Sequence, residues 1–242
     1  PDKRNAIDHA VRQALIDALS AARDDRACRA IVFGGVDRVF SAGGDVPSMV
    51  GLSEAQARER MRHIHELCRL VAGLPMPVVA AAEGFCAGAV VGLALLGDHI
   101  VVGKATKILF PFFKLGLAPD WGMLRTLPAR VGLRNARRLL LTSQPIAGEE
   151  AYALGLADEY VGDADVMDAA ITRAQTLAAL PQDAFARMKR RLNDPAPSFD
   201  AELQREEDDQ AVLLLGEDFR EGYAAFSEKR AADFVTPKKA NP

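Results

Sequence analysis

The stretch EGFCAGAVVGLALLGD, residues 83–98, is poorer in side-chain bulk than any other part of the chain. Its glycines and alanines leave the backbone accessible, and its apolar second half is typical of a buried helix. The first N–H groups of a helix have no acceptor within the helix and can bind an anion. We therefore predict that this stretch begins a buried helix whose first turn holds negative charge. The alternative is that its small residues only let the helix pack closely on its neighbours.

A buried strand precedes this helix, and a similar strand occurs earlier in the chain. The apolar runs 30–33 and 77–82 are predicted strands. The first is followed by a tight glycine turn at 39–45, and the second leads directly into the glycine-rich helix. Further strands are predicted at 99–102, 106–109 and 158–161.

Helices are predicted between these strands. Asn5 is predicted to cap a first helix that ends before Arg23. A long amphipathic helix is predicted at 53–74, with Arg58, Arg60 and Arg62 on its outer face. Shorter helices are predicted at 122–127, 133–141 and 148–156. This repeating order of strand, loop and helix predicts an α/β core.

Beyond residue 165 every predicted element is helical. The helices are expected at 166–179, 182–192, 199–215 and 219–227. We therefore divide the chain into an α/β core, residues 1–165, and a C-terminal helical region, residues 166–242.

Composition narrows the possible partners and the compartment. The 242 residues are 49% hydrophobic and 26% charged, with a net charge of -3, so nucleic acid is an unexpected partner. The longest apolar run, residues 85–97, is shorter than the roughly 20 residues of a membrane-spanning helix. The three cysteines form no CxxC pair, which favours reduced thiols in the cytoplasm and no metal site. No signal sequence or methionine opens the chain, and we expect residues to be missing before Pro1.

Two glycine segments, Phe40–Asp45 and Glu83–Ala89, give the chain a resemblance to the crotonase superfamily, which includes enoyl-CoA hydratases and isomerases. The first resembles the F-x-A-G-x-D segment of that family. The second resembles N-G-x-x-x-G-G-G but departs from it at Ala89 and Val90. Three further segments are similar to family motifs: the opening at 1–6, the loop and helix at 115–132, and the signature at 221–230.

The resemblance implies a ββα spiral core with a C-terminal helical trimerisation region, assembled as a homotrimer or a dimer of trimers. It implies an acyl-CoA thioester as substrate and no metal or redox cofactor, since CoA is part of the substrate. It also implies that the amides of Gly44 and Ala89 hold an enolate oxyanion. Main-chain donors suit this task because they are preorganised for developing charge, and alanine at position 89 still supplies its N–H.

Hydratases and isomerases of such a family differ in the residues that transfer protons. By resemblance, a hydratase carries glutamates at the positions held here by Gly92 and Phe112, neither of which can move a proton. Asp120 occupies the place of the single carboxylate of isomerase-type members. One base suffices to move a proton from C2 to C4. Phe112, also a predicted substrate contact, Phe113 and Trp121 would exclude water and strengthen the base by burying it. The alternative is that Asp120 caps the helix beginning at Trp121.

Other residues are predicted to contact the substrate. His65 is a candidate for the same pocket, more so than His63, and its combination with Asp120 resembles 4-chlorobenzoyl-CoA dehalogenases, where aspartate is a nucleophile. Ala42 and Asp45 lie in the first glycine segment, where Asp45 is expected to secure the loop. The remaining candidates are CoA contacts: Lys3, Arg4, Phe226 and Lys229.

The leading hypothesis is an enoyl-CoA isomerase with Asp120 as base and Gly44 and Ala89 as oxyanion donors. Hydratase, hydrolase or dehalogenase chemistry on a related acyl-CoA is the second hypothesis. A third is an acyl-CoA-binding protein that has lost catalysis.

Overall fold

The computed structural model describes residues 3–236, so that Pro1 of the opening motif lies outside the described residues. The strands are β1 (Ile31–Gly34), β2 (Val78–Ala82), β3 (Phe85–Ala87), β4 (His99–Gly103), β5 (Lys107–Leu109), β6 (Ile146–Ala147) and β7 (Glu159–Val161). The helices are α1 (His9–Asp24), α2 (Glu54–Gly73), α3 (Ala89–Leu95), α4 (Met123–Thr142), α5 (Gly148–Ala153), α6 (Val166–Ala178), α7 (Gln182–Asn193), α8 (Phe199–Leu213) and α9 (Glu217–Glu228).

The strands form two sheets that the chain visits in turn. The larger sheet is parallel, with the order β1-β2-β4-β7, and the smaller has the order β3-β5-β6. Strands β2 and β3 are followed by α3, and β4 and β5 are followed by α4. Each such turn therefore adds one strand to each sheet and one helix, which is the predicted ββα spiral.

The larger sheet is covered on both faces, which explains why β2 is apolar along its whole length. One face packs against the main core, to which α2 and α3 contribute. On the other face, Val79, Ala81 and Val101 pack against Val166 and Ala170 of α6. Helix α6 thus belongs to the packing of the core, and the division of the chain at residue 165 stays a prediction.

A buried ion pair also joins the helical region to the core. Lys189 of α7 donates to Asp98 Oδ2 over 2.7 Å and to the carbonyl oxygen of Met76 over 3.3 Å. The same Asp98 oxygen accepts the amide of Val78 at the start of β2. Burial lowers the pKa of Lys189, an effect that the charge of Asp98 opposes. This lysine anchors α7 at the point where the central strands begin.

The predicted elements are present, but β3 and β6 lie where no strand was predicted, and two further places differ. The cap assigned to Asn5 is wrong: α1 begins at His9, and Asp8 accepts the amide of Val11 over 2.9 Å. Asn5 has a φ of 56° and bonds to a loop instead. The helices predicted at 122–127 and 133–141 are joined as α4, which breaks at Gly132 with a φ of 73°.

Among the helices within residues 3–236, none is both long enough and apolar enough to cross a membrane.

A histidine pair joins α1 to α2. The Nδ1 atoms of His9 and His63 lie 2.9 Å apart, and Arg12 Nε donates to His63 Nδ1 over 3.4 Å. His63 Nε2 lies 3.2 Å from Gln13 Oε1. Since Nδ1 accepts, the proton of neutral His63 lies on Nε2 and is donated to Gln13. Burial, followed by the charges of His9 and Arg12, lowers the pKa of His63.

This arrangement predicts an acid-sensitive contact between the two helices. Because the pKa of His63 is lowered on folding, the unfolded chain binds the proton more readily, and the free energy of unfolding falls as the pH drops below 6.5. We expect His63→Gln to reduce this fall when denaturant unfolding is compared at about pH 7.5 and about pH 5.5. His65→Gln, on an exposed position of the same helix, is the control. Equal pH dependence in wild type and His63→Gln would contradict the prediction.

Candidate active site

The first glycine segment forms an isolated parallel β-bridge between Gly44 and Ile7. The amide of Ile7 donates to the Gly43 carbonyl over 2.7 Å, and the amide of Asp45 donates to the Ile7 carbonyl over 3.3 Å. In the planar trans peptide between Gly43 and Gly44, the carbonyl of Gly43 and the N–H of Gly44 point in opposite directions. The amide of Gly44 therefore points away from residue 7.

The second glycine segment faces the first. A side chain at Gly43, whose φ is 92°, would stand against the carbonyl of Ala87 and 3.5 Å from the amide nitrogen of Ala89. Glycine at position 43 thus permits the close approach of the two loops. Helix α3 begins at Ala89, after Gly88 with a φ of 52°. In the part of the chain that the structure describes, neither the Gly44 amide nor the Ala89 amide donates to a protein acceptor.

Ser41 fixes the first loop and was not singled out from the sequence. Its hydroxyl accepts the amide of Gly43 over 3.0 Å and donates to the carbonyl of Asn5 over 2.7 Å. A serine two residues before a glycine commonly makes such a local bond, which is the signal that was available. Asp45 contributes to the same loop mainly through its backbone, whose carbonyl accepts from Ser48 Oγ over 2.6 Å.

Asp120 lies in the loop before α4, and the capping alternative for it is wrong. Helix α4 begins at Met123, its cap is Gly122, and no side chain caps it. The contact of Asp120 with the start of α4 is made by its backbone carbonyl, which accepts the amide of Met123 over 3.0 Å. The side-chain atom Oδ1 is buried, and within residues 3–236 it has no hydrogen-bond partner. This oxygen is therefore free to accept a proton.

Helix α2 presents three titratable groups that interact electrostatically with Asp120: Arg60, His65 and Cys68. Burial raises the pKa of Asp120, against the opposite effects of its own backbone amide, Arg60 and His65. Burial, with a smaller effect of Asp120, raises the pKa of Cys68 to about 12. A raised pKa makes Asp120 a stronger base once it is ionised.

At Gly92, the position where by resemblance a hydratase carries its first glutamate, this chain has no room for a side chain. A Cβ atom on Gly92 would lie 2.5 Å from Trp121 Cβ and 3.3 Å from the Trp121 carbonyl oxygen. The side chain of Trp121 is almost completely buried, and its φ is 54°. Trp121 therefore packs directly against the backbone of α3, where glycine alone leaves room.

The other aromatic residues around the site differ in burial. Phe112 is buried, and its Cζ atom lies 3.9 Å from where a Cβ on Gly88 would be. Phe113 is about half exposed in the single chain. Phe112 is thus buried beside Gly88 and Trp121 beside Gly92, whereas the expected burial by Phe113 is wrong for the single chain.

Arg60 belongs to this site, although the helical pattern placed it on the outer face of α2. Its Nη2 atom lies 3.6 Å from where a Cβ on Gly44 would be. Its position four residues before buried Ile64 and three after Ala57 put it at the border of the apolar stripe. That spacing is the signal from which its inward direction could have been inferred.

The predicted CoA contacts are dispersed in the single chain. Lys3 pairs with Asp45 at 3.4 Å beside the first loop, where the Arg4 carbonyl also accepts the amide of Ala42 over 2.9 Å. Phe226 is 83% exposed on α9 and borders an apolar cavity of about 520 Å³ formed with α7 and α8. Lys229 ends the same helix and is also exposed. Roles for Phe226 and Lys229 stay predictions.

The described residues thus contain two free amides in facing loops and a carboxylate whose buried Oδ1 atom has no hydrogen-bond partner. Backbone donors stabilise a developing oxyanion, and a positioned carboxylate transfers a proton. No group of three or more histidine, cysteine or acidic side chains within residues 3–236 is arranged to hold a metal ion. These groups are of the kinds that proton transfer at a carbon beside a carbonyl group requires.

Comparison with known proteins identifies the family. The sequence model of "Enoyl-CoA hydratase/isomerase" matches residues 1–237. A protein named "Probable enoyl-CoA hydratase" from Rhodobacter capsulatus is 37% identical over 241 residues, which cover 97% of this chain and 91% of that protein. The 1,2-epoxyphenylacetyl-CoA isomerase of Escherichia coli K12 is 30% identical over 240 residues, with coverage of 97% and 92%.

A solved structure agrees with these matches. An enoyl-CoA hydratase from Polaromonas sp. JS666 superposes with a TM-score of 0.90 at 29% identity, covering 96% of this chain and 92% of that one. The chain belongs to the enoyl-CoA hydratase/isomerase family and has the crotonase fold.

Proposed function

We propose that the protein is an enoyl-CoA isomerase that moves a double bond with Asp120 as its single base. The observation that carries this proposal is the buried Oδ1 atom of Asp120, which lacks a partner among the described residues and does not cap α4. The isomerase relative from Escherichia coli is consistent with it. The predicted hydratase alternative has less support, because Phe112 and Gly92 stand where that mechanism needs carboxylates.

The proposed reaction begins with a 3-enoyl-CoA whose thioester oxygen lies between the amides of Gly44 and Ala89. Asp120 removes a proton from C2, and the electron pair of that bond moves into the thioester carbonyl to form an enolate. The two amides hold the resulting oxyanion. Asp120 then returns the proton to C4, and the double bond lies between C2 and C3. No water is added and no group leaves.

Burial of the site favours this sequence of steps. The apolar rings of Phe112 and Trp121 reduce the access of water, which would compete for the enolate and for Asp120. The base must be ionised at the start, and the pKa of Asp120 is raised by burial. The rate of proton removal is therefore expected to fall as the pH drops through this raised value.

A second candidate is supported by the charge of His65, which acts on Asp120 from α2. A histidine beside an aspartate would suit nucleophilic attack by Asp120 on an aromatic acyl-CoA, with the histidine acting later on water. The exposed position of His65 argues against this candidate, because a histidine that acts on bound substrate must face the pocket. Loss of halide from a 4-halobenzoyl-CoA would favour this candidate.

The proposal is tested by incubating the protein separately with a 3-enoyl-CoA and a 2-enoyl-CoA and analysing the products by mass and chromatography. We expect interconversion at constant mass. Addition of water alone would indicate a hydratase, and release of free CoA would indicate a hydrolase; either result would overturn the proposal. Tight binding without turnover across a panel of thioesters would instead favour the acyl-CoA-binding protein.

We further propose a homotrimer or a dimer of trimers. Helix α9 supports it, because Phe219, Tyr223 and Phe226 are exposed along it in the single chain. A second copy would cover these aromatic side chains. The cytoplasmic location and the absence of a cofactor stay predictions.

A further inference from the structure

Arg60 is held against the first loop of the site by a specific hydrogen bond. Its Nη1 atom donates to Ser48 Oγ over 3.2 Å, and Ser48 Oγ in turn donates to the carbonyl of Asp45 over 2.6 Å. The Nη2 atom lies beside Gly44, at 3.6 Å from the position of a Cβ there. The guanidinium is thus fixed next to the residue that is proposed to bind the thioester oxygen.

The charge of Arg60 is not neutralised by a neighbouring acid, unlike those of the other arginines nearby on α2. Arg58 pairs with Glu54 at 2.7 Å, and Arg62 pairs with Glu59 at 2.8 Å. No carboxylate within residues 3–236 forms an ion pair with Arg60. Burial, and then the charge of Arg60, lowers the pKa of Arg12. This part of the protein therefore has an excess of positive charge.

The positive charge of Arg60 also acts on Asp120. The charged or titratable groups that interact with this carboxylate are Arg60, His65 and Cys68 of α2, whereas α3 presents only apolar side chains. Burial raises the pKa of Asp120, and Arg60 favours the ionised form. A single guanidinium thus acts on the base and lies beside an oxyanion donor.

We propose that Arg60 is a positioning residue that supplies a fixed countercharge while negative charge moves from Asp120 to the thioester oxygen. The inference rests on the isomerase function proposed above. Before proton transfer the negative charge is on the carboxylate, and afterwards it is on the enolate oxygen between Gly44 and Ala89. Because Arg60 lies beside Gly44 and its charge acts on Asp120, the same guanidinium favours the negative charge before and after the transfer.

The experiment compares Arg60→Gln with Arg62→Gln, which removes an equal charge from the outer face of the same helix. The first readout is the titration of the Asp120 carboxyl by ¹³C NMR of labelled protein, with Asp120→Asn to assign the resonance. The second is the pH profile of kcat/KM with a 3-enoyl-CoA. We expect Arg60→Gln to raise the pKa of Asp120, to move the acidic limb to higher pH, and to lower kcat by about 10²-fold.

Arg62→Gln is expected to change neither readout, and Arg60→Lys is expected to restore the titration and part of the rate. If Arg60→Gln does not fold, Ser48→Ala, which releases Nη1, should shift the titration in the same direction by less. An unchanged titration in the Arg60 variants, or an equal shift in Arg62→Gln, would overturn the inference. If the wild-type protein has no isomerase activity, the proposed function fails, but the NMR titration still decides whether Arg60 controls Asp120.

Discussion

Asp120→Asn is expected to lower kcat for a 3-enoyl-CoA by about 10²- to 10⁴-fold, the usual contribution of a positioned general base. Asparagine has nearly the same shape but cannot accept the proton from C2. Binding of the acyl-CoA should change little, because the amides of Gly44 and Ala89 remain. The measurement is steady-state turnover, together with binding of a saturated acyl-CoA by calorimetry.

The same variant should be more stable than the wild type at neutral pH. Burial raises the pKa of Asp120 in the folded protein above its value in the unfolded chain, 3.8. Ionisation of Asp120 therefore lowers the free energy of unfolding as the pH rises above 3.8. The increase in melting temperature should therefore diminish towards pH 4. Asp168→Asn, at an exposed position of α6, is the matched control and should alter neither property. Full activity of Asp120→Asn would remove Asp120 from the proposed mechanism.

Gly92→Ala is expected to destabilise the protein by about 2 kcal/mol, as overpacking of a core commonly does. Its new methyl group would lie 2.5 Å from Trp121 Cβ. Rotation of the indole cannot relieve this contact, because it involves the first atom of the side chain. The loop that carries Trp121 must move, and Asp120 moves with it. We therefore expect a loss of turnover in addition to the loss of stability.

The matched control is Gly73→Ala, at the last residue of α2. A Cβ there meets no atom within 4 Å, so a gain of about 0.5 kcal/mol is expected from the reduced freedom of the unfolded chain. Gly92→Glu should be less stable than Gly92→Ala and should not gain hydratase activity, since a buried charge is added to the same steric conflict. Denaturant unfolding and water-addition assays measure these effects. Wild-type stability of Gly92→Ala would show that the loop adapts without cost.

The order of elements could be predicted from the sequence because local signals agree with the fold. The apolar run of β2, the glycine segment before α3 and the amphipathic pattern of α2 each determine their structure within a short stretch. The segment that holds the predicted oxyanion donors could be found for the same reason. Asp120 was identified by resemblance, and only the structure shows that its Oδ1 atom has no hydrogen-bond partner among the described residues.

Features that depend on distant residues could not be predicted in this way. The contact between Gly92 and Trp121 joins a helix to a loop, and neither local pattern indicates the other partner. The spacing of Arg60 put it at the border of the apolar stripe of α2, but its hydrogen bond to Ser48, outside this helix, could not be predicted. Asn5 was a plausible cap by residue type, but Asp8 lies where the helix begins.

The ion pair between Lys189 and Asp98 limits how this chain can recombine with its relatives. Asp98 precedes β4 and is 21% exposed, whereas its lysine lies on α7 and is 3% exposed. A chimaera that joins residues 1–165 to the helical region of another protein keeps the acid and loses the lysine unless the donor supplies one. The orphaned charge would then lie at the start of the central strands, where it is costly. The two residues must therefore be inherited together.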